Sequence, residues 1–304
     1  MLQTIPYDLQ QVICEMAIGP NGTDPFAFKA MRVSKLWAHF VCSILYRNYI
    51  ISDYLQFVGF VKVVSSENPL LPYGAYIHSV DLTSVNRYGI DMRAHKLIKH
   101  CPNLLSVTLG HPTSVKPSTI MMMARHCKKL HSLQIGGLES HPFMLECNFS
   151  RLHSLKRVDI HTTPLTGPSL NSLPLGLERV RLVKLDGLED DDLITFTNQR
   201  KETLKSLAII RCIRFKGPIV DVLTPLIHLE QLELVGETID DKRMEGLFDL
   251  PFTLKSLRLC DTQITEKSVS SLAAGQLKVH HLDISHNSLL TDECVRPLLL
   301  QRHL

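Results

Sequence analysis

The sequence predicts an α/β solenoid, a horseshoe of stacked strand–helix units with a parallel sheet inside and helices outside, preceded by a small all-α domain. Three observations carry the prediction. A six-residue apolar template recurs nine times. Residues that start helices follow several copies. The first fifty residues follow a different, helical period.

The template, apolar-x-x-apolar-x-apolar, appears as IHSVDL at 77, LLSVTL at 104, LHSLQI at 130, LKRVDI at 155, LERVRL at 177, LKSLAI at 204, LEQLEL at 229, LKSLRL at 254 and VHHLDI at 279. The intervals are 27, 26, 25, 22, 27, 25, 25 and 25 residues, the spacing of a leucine-rich repeat. The fourth and sixth positions alternate with polar ones, so a short strand points them into a core while the third and fifth face outward. A return path must follow each strand. After the last strands, Ile239-Asp240-Asp241, Ile264-Thr265-Glu266 and Leu290-Thr291-Asp292 each place an N-cap residue ahead of a helical stretch, as in TEKSVSSLAA from Thr265. One unit cannot hide its apolar face alone, so neighbours stack into a continuous core.

The repeats resemble the helical, cysteine-containing leucine-rich repeats of F-box proteins over residues 77–304, with CPNLLSVTL from Cys101 and CKKLHSLQI from Cys127 placing cysteine three residues before the strand. The post-strand position, commonly Asn or Cys in that family, is Asn287 and Cys212 here, but Val85, Pro112, Leu138 and Leu185 elsewhere. His100-Cys101 and His126-Cys127 stand at equivalent points of adjacent repeats. Imidazole and thiolate there could ligate zinc, but periodicity alone stacks like residues, and the reading preferred is buried free cysteine without metal.

The N-terminal segment is helical. Pro6 suits the first turn of a helix on which Leu9, Val12, Ile13 and Met16 share a face, and a break at Gly19-Pro20-Asn21-Gly22 leads to a second helix bearing Met31 and Trp37. Together, IPYDLQQVI, DPFAFKAMRVSKLW and ILYRN resemble the F-box over residues 4–48, the closing half Val33-Ser34-Lys35-Leu36-Trp37 being the more specific; Leu45-Tyr46-Arg47 is similar to fungal members. Ile5, Asp8, Ala17 and the extra length at 19–23 depart from the family pattern. The organisation expected is therefore 1–48 F-box-like, 49–76 a cap helix at Tyr54 to Val64 with a connecting loop through Pro69, Pro72 and Gly74, and 77–304 repeats. The resemblance implies a Skp-type adaptor, and through it a cullin, as partner, with Ile5, Pro6, Leu9, Val12, Ile13, Met31, Val33 and Trp37 as candidate contacts and Trp37 the first candidate for the domain's own core. The repeats would then present a protein substrate to a ubiquitin ligase. The alternative is a stand-alone scaffold or inhibitor whose helical segment merely caps the solenoid.

Composition bounds the remaining classes. The chain has 304 residues, 44% hydrophobic and 21% charged, with net charge +3, which requires no polyanionic partner, so no nucleic acid is expected. No apolar run approaches membrane-span length, the start lacks a secretory leader, and the eight cysteines form no CxxC pair. These features predict a cytoplasmic or nuclear protein with reduced thiols and no membrane contact. Walker, dinucleotide-binding, HExxH and nucleophile-elbow motifs are missing from the sequence, so neither an enzyme nor a cofactor is expected. His280-His281 reads as solvated strand surface.

The template also defines two outward columns. The fifth positions read Asp81, Thr108, Gln134, Asp159, Arg181, Ala208, Glu233, Arg258 and Asp283, a ladder in which Asp159 can pair with Arg181, and Arg258 with Glu233 and Asp283. The third positions read Ser79, Ser106, Ser132, Arg157, Arg179, Ser206, Gln231, Ser256 and His281. Arg157 and Arg179 lie side by side with no acid in their column, with Lys156 and Lys184 near in sequence. Arg157, Arg179 and Arg181 are thus the candidate partner-binding residues, suited to an acidic or phosphorylated segment by their guanidinium forks; the competing reading is a pair screened by solvent and by Glu178 and Asp159.

Overall fold

The computed structural model describes residues 5–18, 25–85, 90–110, 116–137 and 144–299. The break at 19–23, Pro112 and Leu138 lie outside the described residues.

The chain begins with three helices, α1 (Tyr7–Ile18), α2 (Pro25–Ala30) and α3 (Lys35–Leu45). Ser34 caps α3, its hydroxyl accepting from the Trp37 amide at 3.1 Å. They enclose a core of Cys14, Ile18, Ala27, Ala30, Trp37, Phe40 and Val41, separate from the larger core that follows. The chain then enters a parallel sheet of ten strands running in chain order: β1 (Asn48–Ile50), β2 (Ser79–Asp81), β3 (Ser106–Leu109), β4 (Ser132–Ile135), β5 (Arg157–His161), β6 (Arg179–Val183), β7 (Ser206–Ile210), β8 (Gln231–Val235), β10 (Ser256–Cys260) and β12 (Leu282–Asp283). The short β9 (Thr253–Leu254) and β11 (Lys278–Val279) pair with each other beside it.

Every strand predicted by the template is present, and the register aligns template positions: Ser106 faces Ser132, Leu133 faces Val158, Arg157 faces Arg179, and Leu232 faces Leu257. In the first eight copies the first, fourth and sixth positions are all buried, none above 3% exposed, which fixes which face of each strand is core. In the ninth, Leu282 and Ile284 are only partly buried, and among the described residues no strand pairs with the far side of β12.

One strand was not predicted. β1 pairs with β2 so that Tyr46, Tyr49 and Ile51 take the first, fourth and sixth positions. Two tyrosines stand where the other copies have aliphatic residues, and the hexapeptide search passes over them. They stack with Phe60, Tyr49 at 4.1 Å and Tyr46 at 6.1 Å between ring centroids, and Tyr73 adds a third phenol ring 5.4 Å from Tyr46. An aromatic plug thus closes the open end of the solenoid core.

The outer layer holds α4 (Tyr54–Val64), α6 (Asp91–His100), α7 (Pro117–His126), α8 (Gly167–Asn171), α9 (Asp190–Gln199), α10 (Ile219–Leu223), α11 (Glu266–Ala274) and α12 (Asp292–Leu299), with the one-turn α5 (Tyr73–Tyr76) leading into β2. α4 lies where a cap helix was expected, but buries Phe57, Phe60, Val61 and Val64 in the main core and packs on α6 as the first repeat's helix. Thr265 caps α11 as predicted. After Asp240-Asp241 the expected helix gives way to turns and a 3-10 helix, Leu247–Asp249, because Gly246 takes a left-handed φ of 76° and Pro251 follows.

Buried polar groups hold the repeats together. Arg200 is 1% exposed with no carboxylate partner. It donates instead to the carbonyls of Asn171, Leu173, Pro174 and Phe196, and lies over the Phe196 ring. Burial lowers its pKa to about 10. Asp241 reaches across a repeat, accepting from the Thr265 amide (2.9 Å), the Thr265 hydroxyl (2.6 Å) and the Ser268 hydroxyl (2.5 Å) at the start of α11. Asn287 donates to the Leu259 and Ile284 carbonyls and accepts from Thr262. Val85 and Leu185, at the same repeat position, are buried core residues instead.

Candidate partner-binding surfaces

Two surfaces are unlike the rest of the molecule, and the first is α1. Its buried residues are Gln10, Cys14 and Ile18, while Leu9, Val12, Ile13 and Met16 are 55%, 45%, 40% and 80% exposed. An apolar stripe thus faces out, while the inner face sets a glutamine beside Cys14 and Ile18. Gln10 is satisfied there, its Nε2 donating to the Ile5 carbonyl at 2.8 Å and its Oε1 accepting from Trp37 Nε1 at 2.9 Å. Phe28 and Val33 are exposed as well. An amphipathic helix normally buries its apolar side, so this arrangement leaves an apolar face of α1 uncovered among the described residues.

The eight residues predicted from the family pattern divide. Leu9, Val12, Ile13, Val33 and Pro6 are exposed, and Pro6 stands just before α1 with its carbonyl accepting from the Gln10 amide. Ile5 is half-buried. Trp37 does not present a surface, since it lies in the small core, and the half-buried Met31 packs on that core, its sulfur 3.9 Å from Cys42 Sγ. Trp37 is therefore a residue that shapes the domain. Sequence reasoning missed Gln10 because a polar residue beside an apolar stripe reads as the wet side.

The helical domain also touches the solenoid. His39 Nδ1 lies 2.6 Å from the Tyr76 hydroxyl, with the rings edge to face at 5.1 Å.

The second surface is the inner face of the sheet, where β3 to β10 line a trough of about 470 Å³ containing Arg157, Asp159, Arg179, Arg181, Ser132, Ser206 and Glu233. The two columns appear in the predicted register. Their ion pairs differ from the expected ladder. Asp159 Oδ1 lies 2.6 Å from His161 Nε2, two residues along its own strand, rather than meeting Arg181. Arg181 passes over Ala208 to reach Glu233 at 2.8 Å on the second strand away. Arg258 binds Glu233 and Asp283, each at 3.2 Å. The small Ala208 between them makes the long reach possible. Arg211 repeats the device, passing over Gly236 to Asp261 at 2.7 Å; a Cβ on Gly236, at φ 134°, would come within 3.1 Å of the Arg211 backbone.

Arg181 is thus committed to Glu233, whereas Arg157 and Arg179 are exposed and their side chains make no hydrogen bond or ion pair among the described residues. Of the lysines nearby, Lys156 and Lys205 both reach Glu178, at 3.3 and 3.7 Å, while Lys184 is exposed.

The stacked cysteines belong to neither surface. Cys101 and Cys127 are buried, and burial pushes both thiols up, Cys127 to about 12. They act as small apolar groups. His100 bonds the Lys96 carbonyl, and His280 and His281 are exposed. No helix among the described residues is long and apolar enough to cross a membrane.

Neither a protein-family model nor a curated protein sequence matches the chain. Solved structures do. A chain of the yeast Rad7 and Elc1 complex aligns at 14% identity and TM-score 0.51, over 95% of this chain and 84% of that one. An internalin from Listeria monocytogenes aligns at 16% identity and TM-score 0.41, over 75% of this chain and 66% of its own. The TLR13–ssRNA13 complex aligns at 17% identity and TM-score 0.47, over 74% of this chain and 35% of its own. The chain therefore spans under two thirds of the length of both. The nine template copies and the ten-stranded parallel sheet in chain order make the fold a leucine-rich-repeat solenoid.

Proposed function

We propose that this chain is the substrate-recognition subunit of a Skp-cullin-F-box ubiquitin ligase, docking on a Skp-type adaptor, and through it a cullin, with its N-terminal helices and holding a target protein on the concave face. The observation that carries this reading is α1, whose exposed Leu9, Val12, Ile13 and Met16 lie on a helix that has already completed a core with its other side. A cap needs no such outward stripe. The alignment with a chain of the Rad7 and Elc1 complex supports a fold that places helices and repeats in one molecule. Bond-making belongs to the conjugating enzyme in this scheme, and the chain contributes proximity and orientation.

The test is capture of a purified Skp-type adaptor by the full chain. Leu9→Asp with Val33→Asp should abolish capture, since an unpaired charge in an apolar interface costs about 2 kcal/mol or more. Both residues are exposed, so folding should survive. Wild-type capture by the double variant, or none by the wild type, would return the chain to the reading of a scaffold without ligase partners.

A further inference from the structure

Across β4, β5, β6 and β7 the third-position column sets four hydrogen-bond donors in one row: Ser132, Arg157, Arg179 and Ser206. Adjacent members are separated by one strand spacing, about 4.8 Å. All four line the trough, and none of their side chains has a hydrogen bond or ion pair among the described residues. Two guanidinium groups on facing positions repel. The fold holds them there while satisfying every other arginine of the trough: Arg181 through Glu233, Arg258 through Glu233 and Asp283.

The surroundings choose between anions. Glu178 and Glu230 precede the row on the strand-entry side, with Glu178 held by Lys156 and Lys205 and Glu230 by Lys255. Asp159 and Glu233 stand in the adjoining column. A run of carboxylates laid over this region would meet those four acids. The two trough arginines whose side chains lack a hydrogen bond or ion pair among the described residues stand at one point, where Glu230 acts on Arg179 only through space, and a single group carrying about two negative charges is balanced by two arginines. A phosphate monoester has that charge and enough oxygens for both forks and the flanking hydroxyls. One carboxylate supplies half of it.

We propose that Arg157 and Arg179, flanked by Ser132 and Ser206, form a pocket for one phosphorylated serine or threonine in an extended segment of the partner protein. Arg181 is outside it. The proposal rests on the concave face as the partner surface, and stands whether or not an adaptor binds the helical domain.

The experiment uses the full chain without adaptor and three degenerate peptide pools that differ only at one fixed central residue, phosphothreonine, glutamate or threonine, with binding read by fluorescence anisotropy. The phosphothreonine pool should bind at least about tenfold tighter than the glutamate pool, one added charge-assisted contact being worth about that factor. Arg157→Glu with Arg179→Glu should remove the preference. Arg157→Lys with Arg179→Lys should retain part of it, because the charge remains but the forks are lost. Thermal melts confirm that the variants fold. Equal binding of the three pools, or a preference that survives the charge reversal, would overturn the proposal. So would displacement of the phosphothreonine pool by a single-stranded oligonucleotide at matched phosphate concentration, which would make the row a nucleic-acid contact. Adaptor capture, measured in parallel, should be unchanged by either double variant, so loss of one function is distinguishable from loss of the other.

Discussion

The helical domain and the solenoid use the same apolar residues to opposite ends. In the first eight template copies the leucines at the inward positions are buried, Leu207 and Leu257 being 0% exposed. On α1, Leu9 is 55% exposed while Gln10, its neighbour, is buried. Both regions nevertheless have a finished core. A stripe of leucines therefore says only that something apolar must be covered; whether the cover is the chain itself depends on whether the opposite face already supplies a core.

The largest effect expected from this contrast comes from one substitution made in each region. Leu257→Asp puts a carboxylate between β8 and β12, and because each repeat is stable only on its neighbours the loss should spread beyond its own unit. Even Leu257→Ala should cost about 2–5 kcal/mol. Leu9→Asp should shift the urea midpoint by no more than about 0.5 kcal/mol in stability. Circular-dichroism melts of the two aspartate variants check the pair. Similar destabilisation by both would mean that α1 packs against this chain after all.

How much of this was legible beforehand depends on whether a feature repeats. The nine strands, their register and both outward columns follow from a spacing near 25 residues, since a constant interval brings equivalent positions together. The first repeat escaped because Tyr46 and Tyr49 replace aliphatic residues at the end of the array, where ring stacking takes over from nested leucines. The ion pairs escaped because a ladder argument compares nearest strands, whereas Arg181 spans two when the residue between is Ala208. Ile239-Asp240-Asp241 was read as the start of a helix of its own, whereas Asp241 anchors the next one, a connection no local pattern contains. Gln10 and Trp37 find each other 27 positions apart.

Asp241 leads to an effect of middle size that is specific to pH. Burial raises its pKa, but the hydrogen bonds from Ser268 and Thr265 outweigh that and leave it below the ordinary carboxylate value. A carboxylate held this way stabilises the folded state fully above its unfolded pKa of about 3.9, and the contribution is lost as pH falls through the lower folded value. Asp241→Asn lacks the titrating group. The melting temperature of the wild type should exceed that of the variant most at pH 7, with the gap shrinking as pH falls below about 4. A gap independent of pH would show that shape, not charge, secures the Asp241 contact.

The smallest effect expected separates the two columns of the concave face. Glu233 holds both Arg181 and Arg258, but Arg258 keeps Asp283 when Glu233 is neutralised, so Glu233→Gln releases only Arg181. Arg181 is 43% exposed in its side chain, and pairs that open to solvent contribute about 0–1 kcal/mol, so the melt should barely move. Binding should move more. Removing one negative charge beside Arg157 and Arg179, and returning Arg181 to the face they occupy, should tighten the phosphothreonine pool on the order of threefold, within the range of one screened pair. The threonine pool should be unaffected, having no charge to gain from. Weaker binding of every pool would instead mean that Glu233 itself meets the partner, and the satisfied column, not the bare one, would be the reading surface.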